Sequence, residues 1–146
     1  MSTIQELKEE NLQSFLDLLL ELARHHNQER FVLTNIKKLR EGLKESRFQA
    51  IMAYDDHNPI GYASYTWNYS IWTGELYMNL DDLFVHENYR GQKIGQALMA
   101  QLQKIGSEQG VDYIRWEVEA TNQKAIRFYE NLGATMKSKG IFKWEV

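Results

Sequence analysis

Two adjacent carboxylates, Asp81 and Asp82, begin the part of this sequence with the most evident chemistry. A carboxylate can bind an ammonium group and accept a proton from it as a general base. Both residues fall within Leu76–Val85, which we predict to be a β-strand, and the period of two would send their side chains to opposite faces. Two interpretations remain open: at least one binds an ammonium group and accepts its proton, or one simply faces solvent or pairs with a nearby cation.

A glycine-containing loop, "YRGQKIG", follows this strand and leads into an apolar segment with helical spacing. Backbone N–H groups at a helix start attract anions, and Gly91 and Gly95 would let the backbone approach one closely. Arg90 and Lys93 add charge that suits phosphate oxygens. The loop alone is equally compatible with a plain strand-to-helix turn. It matches neither the P-loop pattern GxxxxGK(S/T) nor the dinucleotide pattern GxGxxG.

Tyr129 lies in the segment "TNQKAIRFYENLGA", which has helical spacing and Asn122 near its expected cap. A phenol, with a pKa of about 10 in water, can donate a proton as a general acid. Tyr129 is therefore a candidate general acid, although a tyrosine packed in a core would show the same spacing.

An aromatic stretch precedes the two carboxylates. It could form a slot for a cationic amine, or its side chains could pack within the core and sheet. The aromatic residues are Trp67, Tyr69, Trp72 and Tyr77, and the slot would also include Glu75 and Asp81.

The composition fits one soluble domain over residues 1–146. The net charge of -3 does not favour a nucleic-acid partner, and the absence of cysteine excludes disulfides, a cysteine nucleophile and thiolate metal sites. The N-terminus is too charged for a signal peptide, so we predict a cytoplasmic protein without a membrane partner. His25 and His26 lack a matching carboxylate spacing; we interpret them as cations at a helix end and predict no metal.

Periodicity and turn residues predict the order of the elements. Helices are predicted near Lys8–His26, Asn35–Glu45, Gly95–Gln109 and Asn122–Gly133. Strands are predicted at Phe48–Tyr54, Ile60–Ser70, Leu76–Val85 and Tyr113–Glu119, with a hairpin at Ala134–Val146. This order predicts an α/β fold (α+β in some schemes) with a mixed central sheet and helices on both faces, including one parallel pair joined through a helix.

The motif "YRGQKIGQALM" after a strand ending in "LFV", followed by "EATNQKAIRFYENLGA", resembles the GNAT superfamily of acetyl-CoA-dependent N-acetyltransferases. The resemblance implies a mostly antiparallel sheet with a parallel strand pair splayed around the cofactor, and a homodimer. It implies that the pyrophosphate of acetyl-CoA is bound by the loop Arg90, Gly91, Gln92, Lys93, Ile94 and Gly95. Lys93 departs from the family pattern, which has glycine there.

Other contacts with the cofactor are also implied by this resemblance. Backbone groups of Leu83, Phe84 and Val85 would bind the pantetheine arm. The last helix would lie against the cofactor through Asn122, Ala125, Phe128 and Tyr129, with Tyr129 near the thioester sulfur.

The stretch "YTWNYSIWTGELYMNLDDLF" resembles the spermidine/spermine (diamine) N-acetyltransferase branch. The resemblance implies that Asp81, where the branch usually has glutamate, removes the proton of the amine through water. The acceptor would be a small cationic amine, and its candidate contacts are Asp81, Asp82, Glu75, Trp72 and Tyr77.

We therefore predict that the amine attacks the thioester directly in a ternary complex, with Tyr129 and Asp81 as the catalytic residues. The departures at Lys93 and Asp81 leave a non-catalytic acyl-CoA-binding module as an alternative. Acetylation of protein N-termini or lysines is a second alternative.

Overall fold

A five-stranded sheet is the centre of the structure, a computed structural model that describes residues 2–146. Its strands follow one another in space as they do in the chain, and only the last pair is parallel. The strands are β1 (Ser2–Glu6), β2 (Gln49–Asp55), β3 (Asn58–Ser70), β4 (Glu75–Val85) and β5 (Ile114–Arg115). The predicted mixed, mostly antiparallel sheet is confirmed.

Three helices flank this sheet: α1 (Leu12–His25), α2 (Ile36–Lys44) and α3 (Ile94–Glu108). The helix α2 begins where the sequence indicated, because Asn35 accepts a hydrogen bond from the Lys38 backbone N–H at 2.9 Å. The helix α3 ends before Gly110, whose φ of +75° suits a glycine at a helix end. The structure thus reproduces the predicted helices to within a few residues at each end.

The apolar core lies on both faces of the sheet. On one face, α1 and α2 pack against β2, β3 and β4 through a cluster that includes Phe15, Leu39, Met52, Tyr62 and Phe84. On the other face, α3 contributes Leu98 and Leu102, which are fully buried. Gly106 of α3 lies so close to Val111 that an added Cβ would stand 3.1 Å from the Val111 Cγ2 atom.

Strand pairing differs from the predicted pattern in two places. The strand β1 was not predicted, because "STIQE" is short and polar, and its pairing with β2 determines its conformation. The predicted strand Tyr113–Glu119 was too long: only Ile114 and Arg115 pair with β4. Propensity identifies residues that can extend, whereas the partner determines which of them form a ladder.

The chain divides into two compact units, the first ending at Trp116 and the second comprising Glu117–Val146. The second unit contains α4 (Gln123–Asn131), whose N-cap is Asn122 as predicted. The predicted hairpin at Ala134–Val146 was wrong, since these residues form no strand. A lone two-stranded hairpin is marginal in water without a surface to cover its apolar side. Within residues 2–146, no helix has the length and apolar character needed to cross a membrane.

Candidate active site

A β-bulge in β4 determines where the two aspartates point. Ser64 of β3 pairs with Asp82 and the next residue, Tyr65, pairs with Leu80, so Asp81 is the extra residue. A bulge interrupts the alternation of side chains between the two faces. Asn79 and Asp82 pair with β3 residues that lie two apart and so on one face of the sheet, and the side-chain amide of Asn79 donates a hydrogen bond to Asp81. Asp81 therefore shares the α1 face of the sheet with Asp82. The predicted placement on opposite faces was wrong, because the regular period of two does not hold across a bulge.

Asp82 lies in the more enclosed position of the pair. The hydroxyl of Tyr62 donates a hydrogen bond to its Oδ2 at 3.3 Å. Loss of water raises the pKa of Asp82, while the Tyr62 hydrogen bond and the positive charge of His26 oppose the rise. Asp82 is thus a partly buried carboxylate that has its own hydrogen-bond donor and lies near His26.

Asp81 is the more exposed member of the pair. Its Oδ1 accepts a hydrogen bond from the side-chain amide of Asn79 at 2.9 Å. Partial desolvation and then repulsion from Asp82 raise its pKa, and the Asn79 hydrogen bond opposes the rise. A raised pKa makes a carboxylate a better proton acceptor. Asp81 is therefore a solvent-accessible carboxylate with a raised pKa.

The phosphate-loop candidate begins with Lys93 in an unusual backbone conformation. Lys93 is the N-cap of α3 and has φ 64° and ψ 19°, in the left-handed region that glycine adopts most easily. The chain therefore keeps a glycine-like conformation at the position where Lys93 departs from the family pattern. Gly91 also has a positive φ, of 78°, and open space where a Cβ would stand.

The N-terminus of α3 faces outward without a side-chain cap. Lys93 accepts no hydrogen bond through its side chain, in contrast to the capping asparagines of α2 and α4. An uncapped helix start offers backbone N–H groups and the positive end of the helix dipole. Around it lie exposed Gln92, buried Ile94 and Gly95 in the first turn. This geometry fits an anion.

Two hydrogen bonds hold the residues before the loop. The hydroxyl of Tyr89 donates to Asp55 of β2 at 3.0 Å, and Arg90 Nε donates to the Val85 carbonyl at 3.0 Å. The Arg90 guanidinium also lies 5.9 Å from the Phe84 ring centroid. These contacts fix Arg90 at the end of β4 and leave its terminal nitrogens available to a phosphate.

One edge of β4 stays open where the pantetheine arm was predicted to bind. Leu83, Phe84 and Val85 pair with β3 on one side. On the other side, no strand among residues 2–146 pairs with β4 beyond Asn79. Backbone groups on an unpaired edge can bind an extended ligand as an added strand would.

The aromatic and acidic candidates lie away from the aspartate pair. Glu75 begins β4, six residues before Asp81, a distance of about 20 Å along an extended strand. Trp72 is exposed in the turn before it. Tyr77 stacks on Tyr113 with ring centroids 5.0 Å apart. One chain therefore does not bring Glu75 or Trp72 together with Asp81.

The other two aromatic candidates, Trp67 and Tyr69, also do not form a slot for a cationic amine in this chain. Trp67 donates a hydrogen bond from its indole to Gln49 at 3.1 Å, which is sheet packing. Tyr69 is exposed near the end of β3.

The residues of the last helix that were predicted to contact the cofactor lie in the second unit. Asn122 accepts a hydrogen bond from the Ala125 backbone N–H at 3.2 Å, so its oxygen is engaged and its amide N–H groups remain for a ligand. Phe128 and Tyr129 contact each other edge to face, with centroids 5.2 Å apart. Burial raises the pKa of Tyr129, which keeps its phenol protonated at neutral pH.

Comparison with known proteins identifies the family. A sequence model described as the Acetyltransferase (GNAT) family matches residues 7–134. The chain belongs to the GNAT family of acetyltransferases. This acetyltransferase is 30% identical over 141 residues to a thialysine N-epsilon-acetyltransferase of Sus scrofa, covering 90% of this chain and 82% of the relative.

One further relative and one solved structure are informative. It is 30% identical over 128 residues to human spermidine/spermine N(1)-acetyltransferase-like protein 1, covering 82% of this chain and 18% of that protein. Its fold matches that of an aminoglycoside acetyltransferase from a soil metagenome, with a TM-score of 0.87 and 18% identity over 99% of this chain and 95% of the other. The relatives support the predicted N-acetyltransferase class, and the structural match supports the fold.

Two residues beside the aspartates escaped prediction. Tyr62 lies twenty residues before Asp82, and only the strand register brings them together. His26 follows α1 as predicted, but its charge acts on Asp82, which the helical spacing gave no reason to expect. No sequence signal identifies either contact, because both depend on how α1 and β3 pack against β4.

Proposed function

We propose that this protein transfers an acetyl group from acetyl-CoA to a primary amine of a small cationic compound, either a polyamine or diamine or an amino-acid-like amine. The bulge that sets Asp81 and Asp82 on one face carries the proposal, since two neighbouring carboxylates suit an ammonium group. The names of the relatives, which refer to thialysine and to spermidine and spermine, agree with such an acceptor.

The residues around α3 fit the cofactor. When bound, acetyl-CoA would supply an acetyl group activated as a thioester. The uncapped start of α3, Gly91 and the charges of Arg90 and Lys93 would hold its pyrophosphate. The open edge of β4 at Leu83–Val85 would hold the pantetheine arm.

The carboxylate pair would prepare the amine. An alkylammonium has a pKa of about 10.4, so it must lose a proton before it can attack. Asp82 would bind the ammonium group, and Asp81 would accept its proton through water, because aspartate is one methylene shorter than the glutamate usual in the branch. A backbone N–H near Leu83–Val85 would stabilise the carbonyl oxygen as it gains charge.

Tyr129 is assigned the return of a proton to the departing thiolate. The assignment rests on the motif "TNQKAIRFYENLGA" and on the family resemblance that it carries. Tyr129→Phe is expected to lower turnover by about a hundredfold or more, with the affinity for coenzyme A changed little. The predictions of a homodimer and of a cytoplasmic location also stand as proposals.

The direct test measures thiol release from acetyl-CoA in the presence of spermidine, spermine, putrescine, thialysine, lysine and a peptide with a free N-terminus. We expect turnover with one or more of the small amines and little with the peptide. Binding of coenzyme A without turnover on any amine would instead indicate a non-catalytic module. Turnover confined to the peptide would indicate protein acetylation.

A further inference from the structure

Tyr62 is a fully buried tyrosine whose surroundings are mostly aromatic and aliphatic. Its ring lies edge to face with Phe15, with centroids 4.9 Å apart, and 6.3 Å from the Phe84 ring. Phenylalanine would fill this part of the core equally well. A buried hydroxyl is costly without a partner, and the partner that this one has is Asp82 Oδ2, at 3.3 Å.

The two aspartates consequently have different surroundings. Asp82 receives the Tyr62 hydroxyl from β3 and faces His26 at the end of α1. Asp81 receives an amide from Asn79, on its own strand, and the repulsion of Asp82. Burial and the negative charge of Asp82 raise the pKa of Tyr62 far above the physiological range. Tyr62 is therefore a hydrogen-bond donor at every pH at which the enzyme would work.

We propose that Tyr62 is a positioning residue that holds Asp82 as the permanent anion of the pair and leaves Asp81 as the member that accepts the proton of the amine. This division of labour rests on the proposed function. The catalytic residues that touch the amine are the two aspartates, and Tyr62 acts on the amine only through Asp82.

The hydrogen bond determines in which direction the loss of the Tyr62 hydroxyl should shift the pKa of Asp82. A donor stabilises the ionised form of a carboxyl group, so removing the hydroxyl makes Asp82 easier to protonate. The charged or titratable groups that face Asp82 are Tyr62, Asp81 and His26. In Tyr62→Phe the other two are unchanged, and the difference from wild type reports the hydroxyl.

The first experiment needs no substrate. The carboxyl carbons of Asp81 and Asp82 are titrated by NMR in the free enzyme, in wild type and in Tyr62→Phe. We expect the midpoint of Asp82 to rise by about half a pH unit to one unit, since the bond is long. The matched control is Tyr65→Phe, because Tyr65 is a buried neighbour on β3 that pairs opposite Leu80 on the other face. It should leave both midpoints unchanged.

The second experiment records kcat/KM against pH for an amine that the wild type acetylates. The acidic limb should move upward in Tyr62→Phe by about the same amount, with the plateau at higher pH retained, and should not move in Tyr65→Phe. A purely structural role would lower the whole profile without shifting it. An unchanged Asp82 midpoint in a folded Tyr62→Phe protein overturns the proposal.

A double variant covers the case in which Tyr62→Phe folds poorly. If the hydroxyl serves Asp82, the loss of thermal stability caused by Tyr62→Phe should be smaller in an Asp82→Ala background, which has no side-chain acceptor. Equal losses in both backgrounds contradict the pairing. A wild type with no activity on any amine would contradict the proposed function, while the NMR titration would still decide the role of Tyr62.

Discussion

Lys93 shows how a single residue can depart from a family pattern and keep its geometry. Its φ of 64° is the left-handed conformation that usually selects glycine. An L-residue pays about 1–2 kcal/mol to adopt it, whereas glycine adopts it freely. The chain retains this cost at the N-cap of α3, where a charged side chain stands beside the proposed phosphate site. We infer that the contribution of the Lys93 charge to phosphate binding outweighs the strain of its left-handed backbone conformation.

The first prediction separates the strain at Lys93 from its charge. Lys93→Gly removes both, and Lys93→Ala removes the charge but keeps the strain. Lys93→Gly should be about 1 kcal/mol more stable than Lys93→Ala in urea unfolding, after the larger entropy of unfolded glycine is allowed for. Both variants should bind coenzyme A several-fold more weakly than wild type by calorimetry. Wild-type affinity in Lys93→Ala would show that the side chain does not contact phosphate.

The second prediction concerns stability and pH at Asp81. Its pKa is raised from the ordinary 3.8 in the folded chain. Between the two values the folded state binds more protons than the unfolded state, so the free energy of unfolding falls as the pH rises through that window. Asp81→Asn removes this penalty. It should raise the free energy of unfolding at pH 7, with the gain shrinking as the pH falls toward 3.8.

Chemical unfolding at several pH values measures this gain. The matched control is Asp112→Asn, which makes the same change of charge at an exposed position before β5 and should show no comparable pH dependence. Asp81→Asn should also reduce turnover, because a carboxamide cannot accept the proton of the amine. An Asp81→Asn protein less stable than wild type at pH 7 would contradict the assignment.

At the scale of the element, β4 carries most of the proposed site. The bulge in the second half of β4 places both aspartates on one face of the sheet. The unpaired edge proposed to bind the pantetheine arm follows the bulge, and the end of the strand leads into the proposed phosphate loop. The end of β4 lies so close to β3 that a Cβ on Gly61 would stand 2.6 Å from the Phe84 carbonyl oxygen. Gly61 therefore allows a close approach of two backbones just where the pantetheine arm is proposed to bind.

The third prediction tests this contact. Gly61→Ala should lower the free energy of unfolding by roughly 1–3 kcal/mol, because backbone atoms cannot move aside as a flexible side chain can. It should also weaken coenzyme A binding by displacing Phe84 and Val85. Gly140→Ala is the control, since an added Cβ there meets no atom within 4 Å. A fully stable Gly61→Ala variant with normal affinity would show that the strands separate easily.

The elements differ in how far the sequence could predict them. Long amphipathic segments such as α1, and caps such as Asn35 and Asn122, were readable because they depend on neighbours in the chain. The strand β1 and the two-residue length of β5 were not, because a strand exists only through its partner. The bulge at Asp81 also depends on a partner strand, and it moves one aspartate to the face of the sheet opposite to the predicted one.

On the scale of the whole molecule, the C-terminal residues expose several large apolar side chains. Ile141, Phe142, Trp144 and Val146 are all largely exposed in the single chain. Water-exposed apolar clusters of this kind mark surfaces that another protein covers. Together with the family resemblance, they support the proposed homodimer.

The fourth prediction is that sedimentation equilibrium gives the mass of two chains for the wild type. Phe142→Ser combined with Trp144→Ser should shift the population toward one chain, because each replacement removes a large apolar contact. Lys137→Ser combined with Lys139→Ser, in the same segment, should leave the mass unchanged. A wild-type mass of one chain would contradict the proposal.

The sequence by itself determined the family, the class of reaction and the helices. These follow from local spacing: the loop motif, the segment around Tyr129, and apolar residues at helical intervals. The tertiary structure decided the chemistry of the aspartate pair. Pairing between β3 and β4 creates the bulge, and packing of α1 adds His26 and encloses Tyr62. The pKa of a carboxyl group depends on charges and water within a few ångströms in space, and distance along the chain does not set them.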